Sequence, residues 1–485
     1  MTEGLLWISH LIRGRTFDDF ITPPGWGLAI SRKGISLRTK FSEHISLNIP
    51  IISSNMDTVT GARMAITMAR KGGIGIIHRY NTIEDQCAKV KEVKRAENFI
   101  IDQPYVIGPE ATIAQARIEM KKNRVGSLMV VDLDRKLLGV LSGRDVRFCE
   151  GSSLVQNRMT PLEGLEFAVR GIALEEARNI VDKKRLEKLP LVDSDNKLVG
   201  LITAKDIESL ERYPLANKNQ KTGQLIVGAA IGATGDYLER AEALVEAGVD
   251  VLVLDIANAQ SDLGLNAAKN VRMLLSDSEL VIGNIAIPMA VERFKDVGVN
   301  GFKVGLGPGS ACTTRRNTNI GVPQAQAVFD CACASKVPVI ADGGIRRNGH
   351  ISLALFLGAT SVMIGGMFGG TDEAPGQAFR KSDGQTVKRF RGMASREAMY
   401  DKLRAEESEN PYEVSSRISP EGIEKDIPYI GSVVPLIDEM VGHLASAISY
   451  IGGLSLGEAK EIFLKNPQKH LLVQSSASQI ESFRR

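Results

Sequence analysis

Eight short, β-rich apolar runs, most of them closed by glycines or polar residues, constrain the fold of this chain more than any other feature. The runs are Pro50–Ser54, Ile74–His78, Leu225–Ala230, Val249–Ile256, Leu280–Ile285, Gly301–Gly305, Val337–Ala341 and Ser361–Gly365. Amphipathic stretches separate them, the pattern of a parallel sheet covered by helices. In Asp236–Gly248, for instance, Leu238, Ala241, Leu244 and Val245 share one face, and Gly248 ends the helix. Eight strands are the number that closes an α/β (β/α)8 barrel, the TIM barrel. An open, doubly wound sheet shares the alternation, so the polar ends decide between them. Asn55-Met-Asp57, His78-Arg79-Tyr80, Asp255-Ile-Ala-Asn258, Gly283-Asn284, Gly305-Leu-Gly-Pro-Gly-Ser310, Asp342-Gly-Gly344 and Gly365-Gly366 all sit at strand ends. In a barrel those ends meet on one face and can serve one site.

Between the second and third runs the chain repeats itself. Leu128-Met-Val-Val-Asp-Leu-Asp-Arg-Lys-Leu-Leu-Gly-Val-Leu-Ser-Gly-Arg-Asp145 recurs as Leu189-Pro-Leu-Val-Asp-Ser-Asp-Asn-Lys-Leu-Val-Gly-Leu-Ile-Thr-Ala-Lys-Asp206. Each copy reads as strand, Asp-rich turn, strand, then a helix entered through Ser142 or Thr203. The hydroxyl and the aspartate three residues on (Asp145, Asp206) either cap that helix or hold a ribose at its start, where free N–H groups favour phosphate. The tandem copies resemble a pair of CBS motifs, modules that often bind adenine or guanine nucleotides. The resemblance spans roughly residues 95–212, which leaves 1–94 and 213–485 for the barrel. Which nucleotide binds stays open.

A length of 485 residues with 43% apolar content suits two or three globular domains. The formal charge of +3 calls for neither nucleic acid nor a membrane as partner. No run of about eighteen apolar residues occurs, and Met1–Arg15 lacks a signal-peptide pattern. Five cysteines form no paired framework and no metal-ligand spacing, which fits a reducing cytoplasm. Cys331 and Cys333 lie on a helix, point away from each other and read as small buried side chains. The segment Pro375–Lys388 reads as solvated loop.

The chemistry concentrates in Gly305-Leu-Gly-Pro-Gly-Ser-Ala-Cys-Thr-Thr-Arg315. Its alternating glycines allow amides or carbonyls to face inward, cradling a phosphate or a monovalent cation. Cys312 on such a loop is placed to ionise and attack an electrophilic carbon. Asp342 at a strand end can take both ribose hydroxyls, while Gly343, Gly344, Gly365 and Gly366 let backbone amides close on a phosphate.

Together with Thr16-Phe-Asp-Asp19, Met56-Asp-Thr-Val59, Ala341-Asp-Gly-Gly-Ile345 and Arg391-Gly-Met393, the cysteine loop resembles the IMP dehydrogenase/GMP reductase family over essentially the whole chain. The resemblance implies that Cys312 attacks C2 of the purine to give the covalent thioimidate E-XMP*, with Thr314 and Glu421 as a proton relay. It implies that Ser310, Gly344, Gly365 and Gly366 hold the phosphate and Asp342 the ribose, with Ser54, Met56 and Met393 completing the substrate site. Asp255, Asn258 and Arg79 would face the nicotinamide cofactor. The backbone carbonyls of Gly307, Gly309 and Cys312 match a potassium site of the dehydrogenases. The resemblance also implies a homotetramer or an octamer.

The two branches of the family share the adduct and differ in its fate. The dehydrogenase oxidises IMP with NAD and hydrolyses the adduct with an Arg-Tyr pair on a flap. The reductase expels ammonia from GMP and uses NADPH to return IMP. The flap falls between Met399 and Glu421, where the nearest match is Asn410-Pro411-Tyr412. Proline cannot activate water, so the reading favours GMP reductase. Ser54-Asn55-Met56-Asp57, Asp255-Ile-Ala-Asn258 and Gly365-Gly-Met-Phe368 also resemble the reductase forms. The flap's length, Thr371-Asp-Glu-Ala-Pro-Gly376 and Pro420-Glu-Gly-Ile-Glu424 resemble the dehydrogenase, and Arg404 and Arg417 lie in the same segment. A nucleotide-sensing protein on a retired barrel is the third reading, disfavoured by the retention of Cys312, Thr314, Asp342 and Glu421. NADPH follows from the reductase branch alone, because no clamp for a ribose 2′-phosphate is identifiable.

Overall fold

The computed structural model describes residues 3–96, 101, 104–123, 125–172, 174–204, 207–208, 213–220, 222–405 and 410–481. The chain divides into two compact units, 1–96 with 215–485, and 97–214.

The larger unit is built on β1 (Ile51–Ser53), β2 (Ile74–Ile77), β3 (Gly228–Ile231), β4 (Val251–Asp255), β5 (Glu279–Ile285), β6 (Gly301–Val304), β7 (Val339–Asp342) and β8 (Ser361–Ile364). They form a closed barrel, each strand pairing in parallel with the next and β8 returning to β1. The closed barrel, and not the open sheet, is the fold. Each strand falls on one of the expected runs, with ends that differ by up to three residues; Ile231, Glu279 and Asp342 extend their strands one residue past the runs.

Side-chain alternation sorts the core into two layers. Ile52, Ile74, Ile76, Ala230, Val251, Val253, Val281, Ile340 and Met363 fill the barrel lumen. Their strand neighbours Leu252, Leu254, Leu280, Ile282, Val339 and Ala341 pack outward against the helices. Apolar on both faces, these strands read as continuous hydrophobic runs. Two steps beyond Val253 and Ile340, the same inward parity brings Asp255 and Asp342 to the lumen's upper end.

Two expectations are corrected. Pro375–Lys388 is not all solvated loop: it contains β9 (Phe379–Arg380) and the start of β10 (Thr386–Arg391), which pair antiparallel, and β10 pairs with β11 (Glu424–Pro428). Val387 and Lys388 are buried, and the Lys388 ammonium donates to the carbonyls of Thr371 (2.8 Å) and Ala374 (2.7 Å). Such short, charge-rich strands carry no apolar run to reveal them. Cys331 is buried as expected, but Cys333 is exposed; the two residues stand 200° apart on the helix Gln324–Ala334, so only one can face the core.

In the smaller unit the two sequence copies are the same hairpin. Ser127–Val131 pairs with Leu137–Ser142, and Lys188–Val192 with Leu198–Thr203, with a bulge at the matching position of each. Asp132 and Asp193 close the two turns alike, each accepting backbone N–H groups two and four residues on. Asp145 accepts the Ser142 amide at 2.7 Å in a capping box opening Gly143–Val146, the helix-cap arrangement of the two considered. Thr203 ends its strand, and Asp206 lies outside the described residues. Among the described residues no helix is long and apolar enough to cross a membrane.

Candidate active site

The carboxyl ends of the barrel strands enclose a cavity of about 480 Å³. Cys312, Thr314 and Glu421 line it, as do Ser54, Met56, Ser310, Asp342, Gly344, Gly365, Gly366 and Met393. Asp255, Asn258 and Arg79 line it too, together with Gly307 and Gly309. The residues expected to serve catalysis, substrate, cofactor and cation thus line one cavity, whereas Asp57 and His78 from the same strand ends do not.

The loop after β6 presents the cysteine. Its turn is closed by the Cys312 amide donating to the Gly309 carbonyl at 3.0 Å, and the Arg315 guanidinium, through Nε, ties back to the Leu306 carbonyl at 3.0 Å. Arg315 is thus a strut beneath the loop. Cys312 is exposed, with Sγ 3.2 Å from Thr314 Oγ1. The Thr314 hydroxyl donates to Glu421 Oε2 at 2.7 Å. Glu421 comes from a distant segment, docked by an antiparallel bridge between Cys312 and Gly422. The Thr313 amide donates to the Glu421 carbonyl (2.8 Å) and the Ile423 amide to that of Ala311 (3.0 Å). A thiol, a hydroxyl and a carboxylate in hydrogen-bond sequence can pass a proton from nucleophile to acceptor.

Gly305, at the end of β6, shows why the loop is glycine-rich. Its φ is +152°, and an added Cβ would stand 2.1 Å from the Asp342 carbonyl oxygen. Gly305→Ala is expected to destabilise the protein by about 2–5 kcal/mol through strain and overpacking. A lowered Tm checks this, and an unchanged Tm would refute the contact.

Two of the sequence motifs prove to be halves of one ion-pair cluster. Arg391 Nε donates to Asp57 Oδ2 at 2.8 Å, and its Nη2 to Asp401 Oδ2 at 2.6 Å. The segment carrying Met393 is thereby held over the loop after β1. His78, at the end of β2, is buried with Nδ1 unbonded among the described residues. Burial, then the charges of Lys89, Arg391 and Arg240, push it down to about 3, so it stays neutral and offers no acid.

The model of the IMP dehydrogenase / GMP reductase domain matches residues 14–484. The chain belongs to the IMP dehydrogenase/GMP reductase family. It is 43% identical to GMP reductase of Leishmania major over 463 residues, covering 93% of this chain and 94% of that one. It is 41% identical to inosine-5′-monophosphate dehydrogenase of Nitrosopumilus maritimus over 452 residues, covering 92% and 94%. The structure of GMP reductase from Trypanosoma brucei in complex with guanosine 5′-monophosphate superposes with a TM-score of 0.87 at 39% identity, covering 97% and 98%.

As a member of this family of oxidoreductases, the chain needs room for a nicotinamide cofactor beside the cysteine. The cavity offers it: Asp255, Asn258 and Arg79 line the same space as Cys312, and Arg79 Nε is a buried donor without a partner among the described residues. Gly307, Gly309 and Cys312, the carbonyl set expected for potassium, lie on one loop beside the cavity; the Gly309 carbonyl accepts the Cys312 amide and keeps a second lone pair that a cation could use.

Sequence reading gave no role to Lys303, Asn284 or Asn55, all of which line the cavity. The available signal was a lysine inside Gly301-Phe-Lys-Val304, a strand in which every residue is buried.

Proposed function

We propose that this oxidoreductase is a GMP reductase that converts GMP to IMP and ammonia with NADPH. The observation that carries the reading is Pro411. It occupies the first position of the helix Pro411–Arg417, where its fixed φ and missing N–H are well tolerated, and it stands where a dehydrogenase of the family needs an arginine. The placement of the segment's two arginines supports the reading. Arg404 is exposed, Arg417 pairs with Glu413 on the same exposed helix, and neither lines the cavity.

In this reading Asp342 orients the ribose, and the amides around Gly344, Gly365 and Gly366 take the phosphate. Cys312 Sγ bonds to C2 of the guanine. The thiol proton travels by Thr314 and Glu421 to the 2-amino group, which leaves as ammonia. NADPH, when bound, would supply a hydride to C2; the C–S bond would then break, and a proton would return to the Cys312 thiolate as IMP forms. Asp255, Asn258 and Arg79 line the cofactor's side of the cavity. Adenine or guanine nucleotides at Ser142/Asp145 and Thr203/Asp206 would regulate the enzyme, which we place in the cytoplasm as a homotetramer or octamer.

IMP dehydrogenase is the second reading, favoured by the Nitrosopumilus relative and by the dehydrogenase-like Pro420-Glu-Gly-Ile-Glu424. Mixing enzyme, GMP and NADPH is expected to lower the absorbance of the reduced nicotinamide and release ammonia. Formation of NADH from IMP and NAD, with no GMP-dependent loss of NADPH, would overturn the proposal.

A further inference from the structure

Lys303 is a charged side chain in the interior of a closed barrel, only 2% exposed. An ammonium taken out of water loses several kcal/mol of hydration, so its partners must compensate. It has three. Lys303 Nζ lies 2.7 Å from Asp255 Oδ1 and 2.8 Å from Asp342 Oδ2, and it donates to Asn284 Oδ1. Asn284 turns its amide to the same group, donating to Asp342 Oδ2 at 2.9 Å and to the Gly305 carbonyl at 2.6 Å. Asn55 donates to Asp255 Oδ2 at 2.7 Å.

Barrel register explains how these groups meet. Asp255 pairs across to Gly283, and Gly283 across to Lys303. Gly283 is what admits the lysine: a Cβ there would stand 2.5 Å from Lys303 Cβ and 2.8 Å from its carbonyl oxygen. Two strands are therefore shaped around one ammonium. That investment exceeds what a filler of the lumen requires, since apolar residues of similar volume would pack with no burial of charge.

We propose that Lys303 is a positioning residue shared by the two halves of the site, holding Asp342 for the nucleotide ribose and Asp255 for the nicotinamide side. The inference rests on the roles given to those two aspartates above. Among the described residues Asp342 Oδ2 carries both hydrogen bonds made to the carboxylate, so Oδ1 is the oxygen left for ribose hydroxyls. Asp255 has both oxygens engaged, one by Lys303 and one by Asn55, which fixes its plane. Burial pushes the Asp255 carboxyl up, but the Lys303 charge and hydrogen bond, with Arg79 and Asn55, outweigh it and hold the group below the usual carboxylate range. Without Lys303, burial is opposed only by Arg79 and Asn55, and Asp342 faces Asp255 with no cation between them.

The test uses the full-length enzyme with Lys303→Met and Lys303→Arg, and equilibrium binding of GMP alone and NADPH alone. In Lys303→Met the Kd for GMP is expected to rise about 10- to 100-fold, the loss of one charged hydrogen bond. NADPH binding is expected to weaken similarly and to gain an acid limb, because burial, no longer offset by the Lys303 charge, pushes the Asp255 carboxyl up so that it takes up a proton more readily. Lys303→Arg restores the charge and should recover most of both affinities and remove the limb. A Lys303→Met protein of unchanged Tm that binds both ligands within twofold of the parent overturns the proposal. So do losses that merely follow a lowered Tm, show no new acid limb and are not rescued by arginine. Binding is read without turnover, so a parent enzyme that binds GMP yet fails to reduce it would refute the proposed reaction and leave this inference standing.

Discussion

Cys312→Ala is expected to lower kcat for GMP reduction by about 10⁴-fold or more, the scale on which loss of a covalent nucleophile acts. GMP affinity should stay within a few-fold. The thiol's hydrogen bond among the described residues is with Thr314 Oγ1, while Asp342, Gly344, Gly365 and Gly366, assigned to ribose and phosphate, come from other strand ends, and Ser310 shares the cysteine's loop. The loop should also survive, because its closure uses the Cys312 backbone amide and the Arg315 strut rather than the sulfur. NADPH oxidation and equilibrium binding of GMP measured side by side check the prediction. A variant that still turns over at even a tenth of the parent rate would exclude a covalent route.

Glu421→Gln is expected to divide the reaction in two. Glutamine keeps the hydrogen bond that Thr314 donates to Oε2 but cannot take up the proton, so relay to the leaving amine fails. GMP reduction should fall by about 10²–10⁴-fold, the usual contribution of a positioned acid or base. Adduct formation in reverse, from IMP and the oxidised cofactor, needs no amine protonation, and the exposed Cys312 thiol can give up its proton to solvent. The variant should therefore still accumulate a mass-detectable adduct on Cys312. Equal loss of both half-reactions would show that Glu421 acts as a structural support and not as a relay.

The barrel was legible because a strand apolar on both faces leaves a continuous run, as Val251-Leu-Val-Leu254 does, and because polar ends had to converge somewhere. The cysteine loop and Asp342 were legible because glycine spacing and residue type announce them. Lys303 was not: one lysine in a four-residue strand reads as an interruption, and its meaning depends on Gly283 making room from the neighbouring strand. The β9–β10–β11 sheet was hidden because its short strands carry charges on most positions. Cys333 was misread for a related reason, since helical pitch decides which of two nearby cysteines reaches the core.

The bridge between Cys312 and Gly422 has a consequence for how the site can fail. Nucleophile and hydroxyl belong to one loop, whereas the carboxylate arrives 107 residues later along the chain, on a strand-like edge held by a few backbone bonds. That edge can detach without any barrel strand losing a partner. A molecule in that state keeps its thiol in place but has no path by which to hand a proton to the leaving amine, so it would bind nucleotide and idle. Completeness of the proton path is thus a property of an interlock between two remote stretches of chain, and anything that grips or frees the segment after Glu421 would act as a clutch on turnover while leaving nucleotide capture engaged.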